Sequence, residues 1–327
     1  MTARVPDGAT ARRHEGPRLR DPHREPPTPD VPPPTAPCPT AAGRTRRVSP
    51  LEARSADRHR RPSPGSLTPV LLPDLPASRT EPDGSAVVRL LSYNIRSLRD
   101  DTAALARVIR ACAPDVVCVQ EAPRFFRWRK KAARLARATG LLYVTGGATT
   151  AGPMLLAGLR AHVERTDETL LPRTPGLHQR GLATAVLRFG GARLAVVSTH
   201  LSLAGAERYE QAGLLLAHVR ALGEPHLVVA GDLNERPKGP AFRRLAAELQ
   251  DGWAVRPWGG RHTFPALDPR KRIDAVLASD AVEVLGCGVP AGLPGVSPAD
   301  LRDATDHLPV LAALRVPASG LPATGAS

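Results

Sequence analysis

Aromatic residues are scarce in this 327-residue chain, with Phe, Trp and Tyr making up 3% of it. With so few, packing has the first claim on each. Cysteine is scarce too: Cys38, Cys112, Cys118 and Cys287 are scattered, and no CxxC pair occurs. That excludes a paired-thiolate metal site and reads as a reduced, cytosolic set. Cys118, inside DVVCVQ, is expected to be core. No apolar run reaches the roughly 18–20 residues that span a bilayer. The N-terminal MTARVPDGATARRHEG has early charge but no apolar stretch of a secretory signal. The expectation is a cytoplasmic protein without a transmembrane segment, and no obligate protein partner is evident.

Proline and arginine are abundant. Eighteen of the 35 prolines fall in residues 1–83, in runs such as EPPTPDVPPPTAPCP. A segment with few large apolar residues cannot bury enough surface to offset its chain entropy, so residues 1–83 are expected to form a disordered Pro/Arg-rich tail. Residues 318–327 are expected to form a short disordered C-terminal tail. The formal net charge of +14 suits a polyanion such as nucleic acid or an anionic surface. About +10 of it belongs to residues 84–327, so it is mainly a property of the folded part. Arginine-rich, GC-type coding also contributes to such a composition.

From about residue 86 the texture becomes alternating strand and helix. AVVRLLSYN, DVVCVQE, LLYV, PMLLAGL and AHVERTD read as strands, and TAALARVIRAC as a helix. GLATAVLRFGGARLAVVSTHL reads as a hairpin turned at Gly190-Gly191. The helix GAERYEQAGLLLAHVRAL leads into the strand HLVVAGDLN, and RIDAVLAS and HLPVLAALRV follow as strands. Strand follows strand as often as helix, so a purely parallel sheet is excluded and a mixed α/β domain over 84–317 is expected. RFFRWRKKAARLARATG reads as a basic helix with two readings. Arg124, Arg127, Arg129, Lys130 and Lys131 interleaved with Phe125, Phe126 and Trp128 suit a nucleic-acid or anionic-surface contact. The scarcity of aromatics favours the other, an amphipathic helix whose rings face the core.

Polar groups recur at the strand ends. Asn94 ends LLSYN, Glu121 ends VVCVQE, His200 ends LAVVSTH, and Asp232 and Asn234 end LVVAGDLN. Asp306 and His307 open the last strand, and Asp274 sits in RIDAVL. Any one of these is explained by a turn, since Asp and Asn are favoured wherever a chain turns. Together they are a constellation of oxygen ligands and imidazoles at one kind of position, beyond strand ends, where α/β proteins place their chemistry.

SYN, QE, STHL, GDLN, RID and TDH, in this order between about Leu90 and Val316, resemble the endonuclease/exonuclease/phosphatase superfamily. That group includes deoxyribonuclease I, exonuclease III, sphingomyelinases and inositol phosphatases. The resemblance implies a four-layer α/β sandwich of two mixed β-sheets flanked by helices, with the site in a cleft at one end of the sheets. It implies Glu121 as the main metal carboxylate, assisted by Asn94 and Asp306, with magnesium, or manganese in its place, as the ion. Asp232 and Asn234 would orient the attacking water and contact the scissile phosphate. His307, oriented by Asp274, would act as general base or balance the phosphate charge. His200 would protonate or stabilise the leaving oxygen, and Arg180 would contact phosphate or cap its strand. Thr263 and Arg272 are rim or structural residues.

The function implied is hydrolysis of a phosphate ester by in-line attack of water, with a nuclease slightly favoured. A phospholipid or sphingomyelin phosphodiesterase and an inositol or nucleotide phosphomonoesterase are the alternatives. The cysteine-containing segment typical of inositol 5-phosphatases is missing around Arg272-Ile273-Asp274. A non-catalytic module that keeps the fold would have lost a metal carboxylate or His307, and every such position is filled.

Overall fold

The computed structural model describes residues 74–319; the expected tails lie largely outside them. In chain order, β1 (Arg79–Thr80) and β2 (Ala86–Asn94) precede α1 (Thr102–Cys112), β3 (Val116–Gln120) and α2 (Trp128–Thr139). Next come β4 (Leu142–Gly146), β5 (Met154–Ala157), β6 (His162–Leu170), β7 (Gly181–Phe189) and β8 (Ala192–His200). Then follow α3 (Gly205–Leu222), β9 (Leu227–Asp232), α4 (Pro240–Ala246), β10 (Gln250–Asp251) and α5 (Gly252–Val255). The chain closes with β11 (Asp274–Ala278), β12 (Glu283–Gly288), α6 (Pro298–Asp303) and β13 (Val310–Val316).

Two mixed sheets result. One runs β12-β13-β2-β3-β5-β4 with β1 also paired to β2, and the other runs β10-β11-β9-β8-β7-β6. Alternation along each strand divides its side chains between two layers. Val88 and Leu90 of β2 meet Leu194 and Val196 of β8 and Val228 and Ala230 of β9 in the space between the sheets. The intervening residues face outward: Leu91 and Tyr93 toward α1 and α2, and Ala195, Val197 and Val229 toward α3 and α4. Helix, sheet, sheet and helix are therefore the four layers, as the sequence motifs implied.

Local chemistry fixes the helix ends. Asp101 caps α1, its carboxylate accepting from the backbone amides of Ala103 at 2.8 Å and Ala104 at 3.0 Å. Gly223 stops α3 in the left-handed conformation at φ 66°. The hairpin turns where GG predicts, with Phe189 opposite Ala192 and Gly190 at φ 62°.

Three expectations need revision. Folded contacts begin before residue 84: Leu75 is buried, and the Arg89 guanidinium donates to the carbonyls of Leu75 at 2.6 Å and Pro76 at 2.9 Å. They also extend past 317, where the Ser319 amide donates to Gly191 O at 2.9 Å. The basic helix starts at Trp128 rather than Arg124, because Arg127 sits at φ 58° and breaks the helical path. Consequently Phe125 and Phe126 are 81% and 79% exposed, and the expected core packing of all three rings is wrong for these two.

Candidate active site

Both sheets have one parallel pair, and both pairs end in the same place. In β2/β3 Asn94 stands opposite Gln120, the residue before Glu121, and in β8/β9 His200 stands opposite Asp232. The antiparallel neighbour β11 brings Asp274 opposite Asp232. A strand end has no further ladder partner, so its last side chains are free to project into the cleft there. That cleft, of about 1000 Å³, is lined among others by Glu121, Arg180, His200, Asp232, Asn234 and His307.

Asp232 is the centre. Its Oδ1 accepts the Asn234 amide at 2.9 Å, the bond of an Asx turn. The turn reading of GDLN is thus correct, and it leaves the second oxygen for other use. Oδ2 accepts from Asn94 Nδ2 at 3.1 Å and lies 3.4 Å from His200 Nε2 and 3.8 Å from His307 Nε2. Burial, then the Asp274 charge, push the Asp232 carboxyl well above its ordinary range, against the pull of His307 and the bonds from Asn234 and Asn94.

His307 Nδ1 lies 3.0 Å from Asp274 Oδ2, which leaves Nε2 for the cleft. Burial disfavours its charge but is outweighed by Asp274, with Asp232 and Asp306 adding to it, so the imidazole is held above its usual pKa. The Phe264 ring packs against it, centroids 4.8 Å apart. Thr263 is buried and structural: its Oγ1 accepts the amides of Ile273 at 3.2 Å and Asp274 at 3.3 Å. Arg272 is structural too, forming a bidentate pair with Asp251 at 2.5 and 2.8 Å.

His200 is buried, and desolvation followed by the Arg180 charge holds it well below its usual pKa. Asn234 Nδ2 lies 3.0 Å from His200 Nε2 and donates to Leu201 O at 2.9 Å. The Asn234 amide nitrogen is thus occupied by His200 and Leu201, and contact with a phosphate requires exchange of one of them. Arg180 is buried, and its Nε has no hydrogen-bond partner among the described residues. Burial lowers its pKa, opposed by the charges of Asp232 and Glu121.

The expected metal ligands are placed unevenly. Glu121 stands at φ 52° and accepts from Asn94 Nδ2 at 3.1 Å, without an ion pair among the described residues. Its carboxylate fits a hard cation. Asn94 shows its amide nitrogen, not its oxygen, to the carboxylates, and its Oδ1 accepts the Arg96 amide at 3.1 Å. As placed it holds Glu121 and Asp232 in position rather than ligating. Asp306 Oδ2 lies 3.5 Å from Arg96 Nε, across the turn whose Ser97 amide donates to Glu121 O at 2.8 Å. Asp232, Asp274 and His307 also form a cluster with ligand atoms within 4.8 Å of one another, in which Asp274 is hydrogen-bonded to His307.

Sequence reasoning missed Phe264, Lys271, Arg236 and Glu235 as cleft residues. The signal for Glu235 was its place directly after GDLN. Its buried carboxylate pairs with Arg208 at 2.9 Å and accepts the Phe242 amide at 2.9 Å, fixing the loop that follows Asn234. No helix among the described residues is long and apolar enough to cross a membrane.

A sequence model described as the Endonuclease/Exonuclease/phosphatase family matches residues 91–307. No curated protein matches the chain. Among solved structures, an endonuclease/exonuclease/phosphatase from Bacteroides vulgatus is similar at 20% identity, covering 70% of this chain and 99% of its own, with a TM-score of 0.59. A mannosyl-6-phosphatase from Bacteroides thetaiotaomicron is similar at 17% identity over 69% and 99%, TM-score 0.59. Truncated TDP2 from Caenorhabditis elegans is similar at 20% identity over 70% and 97%, TM-score 0.55. At these identities the likeness is one of fold.

Proposed function

The chain belongs to the endonuclease/exonuclease/phosphatase family of metal-dependent phosphoric ester hydrolases, and from that premise we propose that it is a magnesium-dependent phosphodiesterase acting on nucleic acid. The observation that carries the reading is the Asp232 carboxylate, ringed by Asn94, His200 and His307 nitrogens in a cleft that also presents Arg99, Arg124, Lys131, Arg180, Arg236 and Lys271. Such a surplus of cations suits a polyanion better than a small ester.

In this reading Asp232 orients the attacking water and accepts its hydrogen bond, held for that task by Asn94 and the Asn234 amide. His307, oriented through Nδ1 by Asp274, turns Nε2 to the phosphate and balances its charge. Arg180 supplies a second fixed cation, lining the cleft with Glu121 and Asp232. His200 fixes Asn234 beside them. Glu121 would hold magnesium, with Asp306 as a second carboxylate. When bound, the ion neutralises charge on the phosphate oxygens and polarises the P–O bond. Fixed dipoles and charges of this kind supply most of the acceleration in phosphoryl chemistry.

The test is conversion of supercoiled plasmid to nicked circles, with magnesium and with chelator. The His307→Ala variant, purified identically, controls for contaminating nuclease. Magnesium-dependent nicking by the wild type, reduced by roughly two to four orders of magnitude in the variant, is the expected result. No nicking, together with no magnesium-dependent cleavage of a single-stranded oligonucleotide, refutes the nucleic-acid reading and redirects the site to lipid or small phosphate esters.

A further inference from the structure

Phe125 and Phe126 stand out in a chain so poor in aromatics, because both rings face solvent. They lie in the segment that joins Glu121, at the end of β3, to α2. Trp128, the third ring of the run, does pack: its side chain lies where a Cβ on Gly147 would meet it at 3.1 Å. The two phenylalanines are turned away from that contact by Arg127, whose left-handed φ of 58° is unfavourable for a residue with a side chain. The base of the segment is tied down, with Arg124 Nη1 donating to Ala151 O at 3.2 Å. The exposed pair is thus held in place and not left over from packing.

Each ring has a guanidinium over it, Arg124 at 5.7 Å from the Phe125 centroid and Arg127 at 4.8 Å from that of Phe126. Phe125, Arg124 and Lys131 line the same cleft as Glu121, Asp232 and His307. Rings and cations therefore run without a break from the outer surface into the phosphate site. A small phosphate ester held at Asp232 has nothing to place against rings that reach from the cleft wall at Phe125 out to Phe126. A nucleotide chain has both components, phosphates for the cations and bases for the rings.

Resting on the nucleic-acid reading above, we propose that Phe125 and Phe126 form a stacking platform for unpaired bases, so that the cleft takes single-stranded nucleic acid with one backbone phosphate at the Asp232–His307 site. Stacking on aromatic faces tolerates any base, while the cations give strong salt dependence. Paired bases, stacked inside a duplex, cannot offer their faces to the rings.

The test uses the full chain, a short fluorescein-labelled single-stranded DNA, the same sequence as a duplex, and vesicles of phosphatidylglycerol. Binding is read by anisotropy in chelator, and by sedimentation for the vesicles. The Phe125→Ala/Phe126→Ala double variant alters exposed rings, so the fold is expected to persist, checked by its unchanged melting temperature. It is expected to bind the single strand about tenfold more weakly or worse, with little change on the duplex. The Phe125→Tyr/Phe126→Tyr variant, which keeps the π faces, is expected to bind like the wild type. Magnesium-dependent hydrolysis of bis(p-nitrophenyl) phosphate is measured in the wild type alone, as the separate readout of the phosphodiesterase reading. Equal affinity of wild type and alanine variant for the single strand overturns the proposal. So does a wild-type preference for vesicles over DNA that disappears in the alanine variant. Failure of the wild type to hydrolyse any phosphodiester, with ring-dependent DNA binding intact, refutes the phosphodiesterase reading and leaves the platform standing.

Discussion

Asp251→Ala is expected to cost far more than an ordinary ion-pair deletion. Arg272 is 6% exposed at its side chain and Asp251 10%, and the pair is bidentate at 2.5 and 2.8 Å. Phe242 and Trp253 lie under the guanidinium, each ring centroid 5.3 Å away. Removing the carboxylate leaves a cation among aromatic rings with no route to water. Breaking a buried pair in this way typically costs about 3–5 kcal/mol, a large share of the roughly 5–15 kcal/mol that stabilises a domain. At about 2–4 °C per kcal/mol for a domain of this size, the melting temperature is expected to fall by roughly 6–20 °C. Glu248→Ala is the internal control, since it breaks the Arg220–Glu248 pair at 2.8 Å, whose side chains are 61% and 41% exposed. That change is expected to stay within about 1 kcal/mol. Replacing both partners, Asp251→Leu with Arg272→Met, is expected to recover most of the loss, because apolar isosteres remove the stranded charge. The assay is thermal unfolding followed by circular dichroism for all three variants. A drop for Asp251→Ala no larger than that for Glu248→Ala refutes the argument, as does a double variant no better than the single one.

Two further changes probe the site and its frame. Gly231→Ala places a Cβ 2.0 Å from Thr199 O, against backbone of the adjacent parallel strand. It is expected to destabilise by about 3 kcal/mol or more, seen as a lowered melting temperature, and an unchanged melt would show that β8 and β9 can part there. Chelation is expected to abolish phosphodiester turnover and added magnesium to restore it, with Glu121→Gln shifting the magnesium requirement to higher concentration. Full turnover in chelator refutes the assignment of Glu121.

How much of this was legible in the sequence follows from what each element depends on. β2, α1, β7, β8 and α3 repeat in space the residues expected of them, because period, cap and turn residues lie within their own sequences: Asp101 before α1, Gly190-Gly191 between β7 and β8, Gly223 after α3. The elements that were not expected take their form from neighbours. β12 reads EVLGCG, with two glycines, a poor strand in isolation. It is a strand because it pairs antiparallel with β13, and its glycines admit close neighbours: a Cβ on Gly286 would meet Leu75 at 2.5 Å and one on Gly288 would clash with the Trp258 carbonyl. α4 and α6, of 7 and 6 residues, are too short for a helical period to show.

The site divides along the same line. Which residues gather was readable, because a strand end is a local feature and register carries it the rest of the way: Asn94, His200, Asp232 and Asp274 converge through pairings that the hydrophobic pattern of their strands dictates. What each residue does there was not, because that is set by partners far away in sequence. Asn94 turns its nitrogen to Asp232, 138 positions on, because the Arg96 amide has claimed its oxygen. His200 is held below its usual pKa by burial and by the Arg180 charge. Phe125 and Phe126 follow the same logic in reverse. Composition alone assigned them to the core, and a single left-handed residue, Arg127, turned them outward. A motif therefore fixes the address of a polar group, while its protonation and the direction of its amide are properties of the assembled cleft.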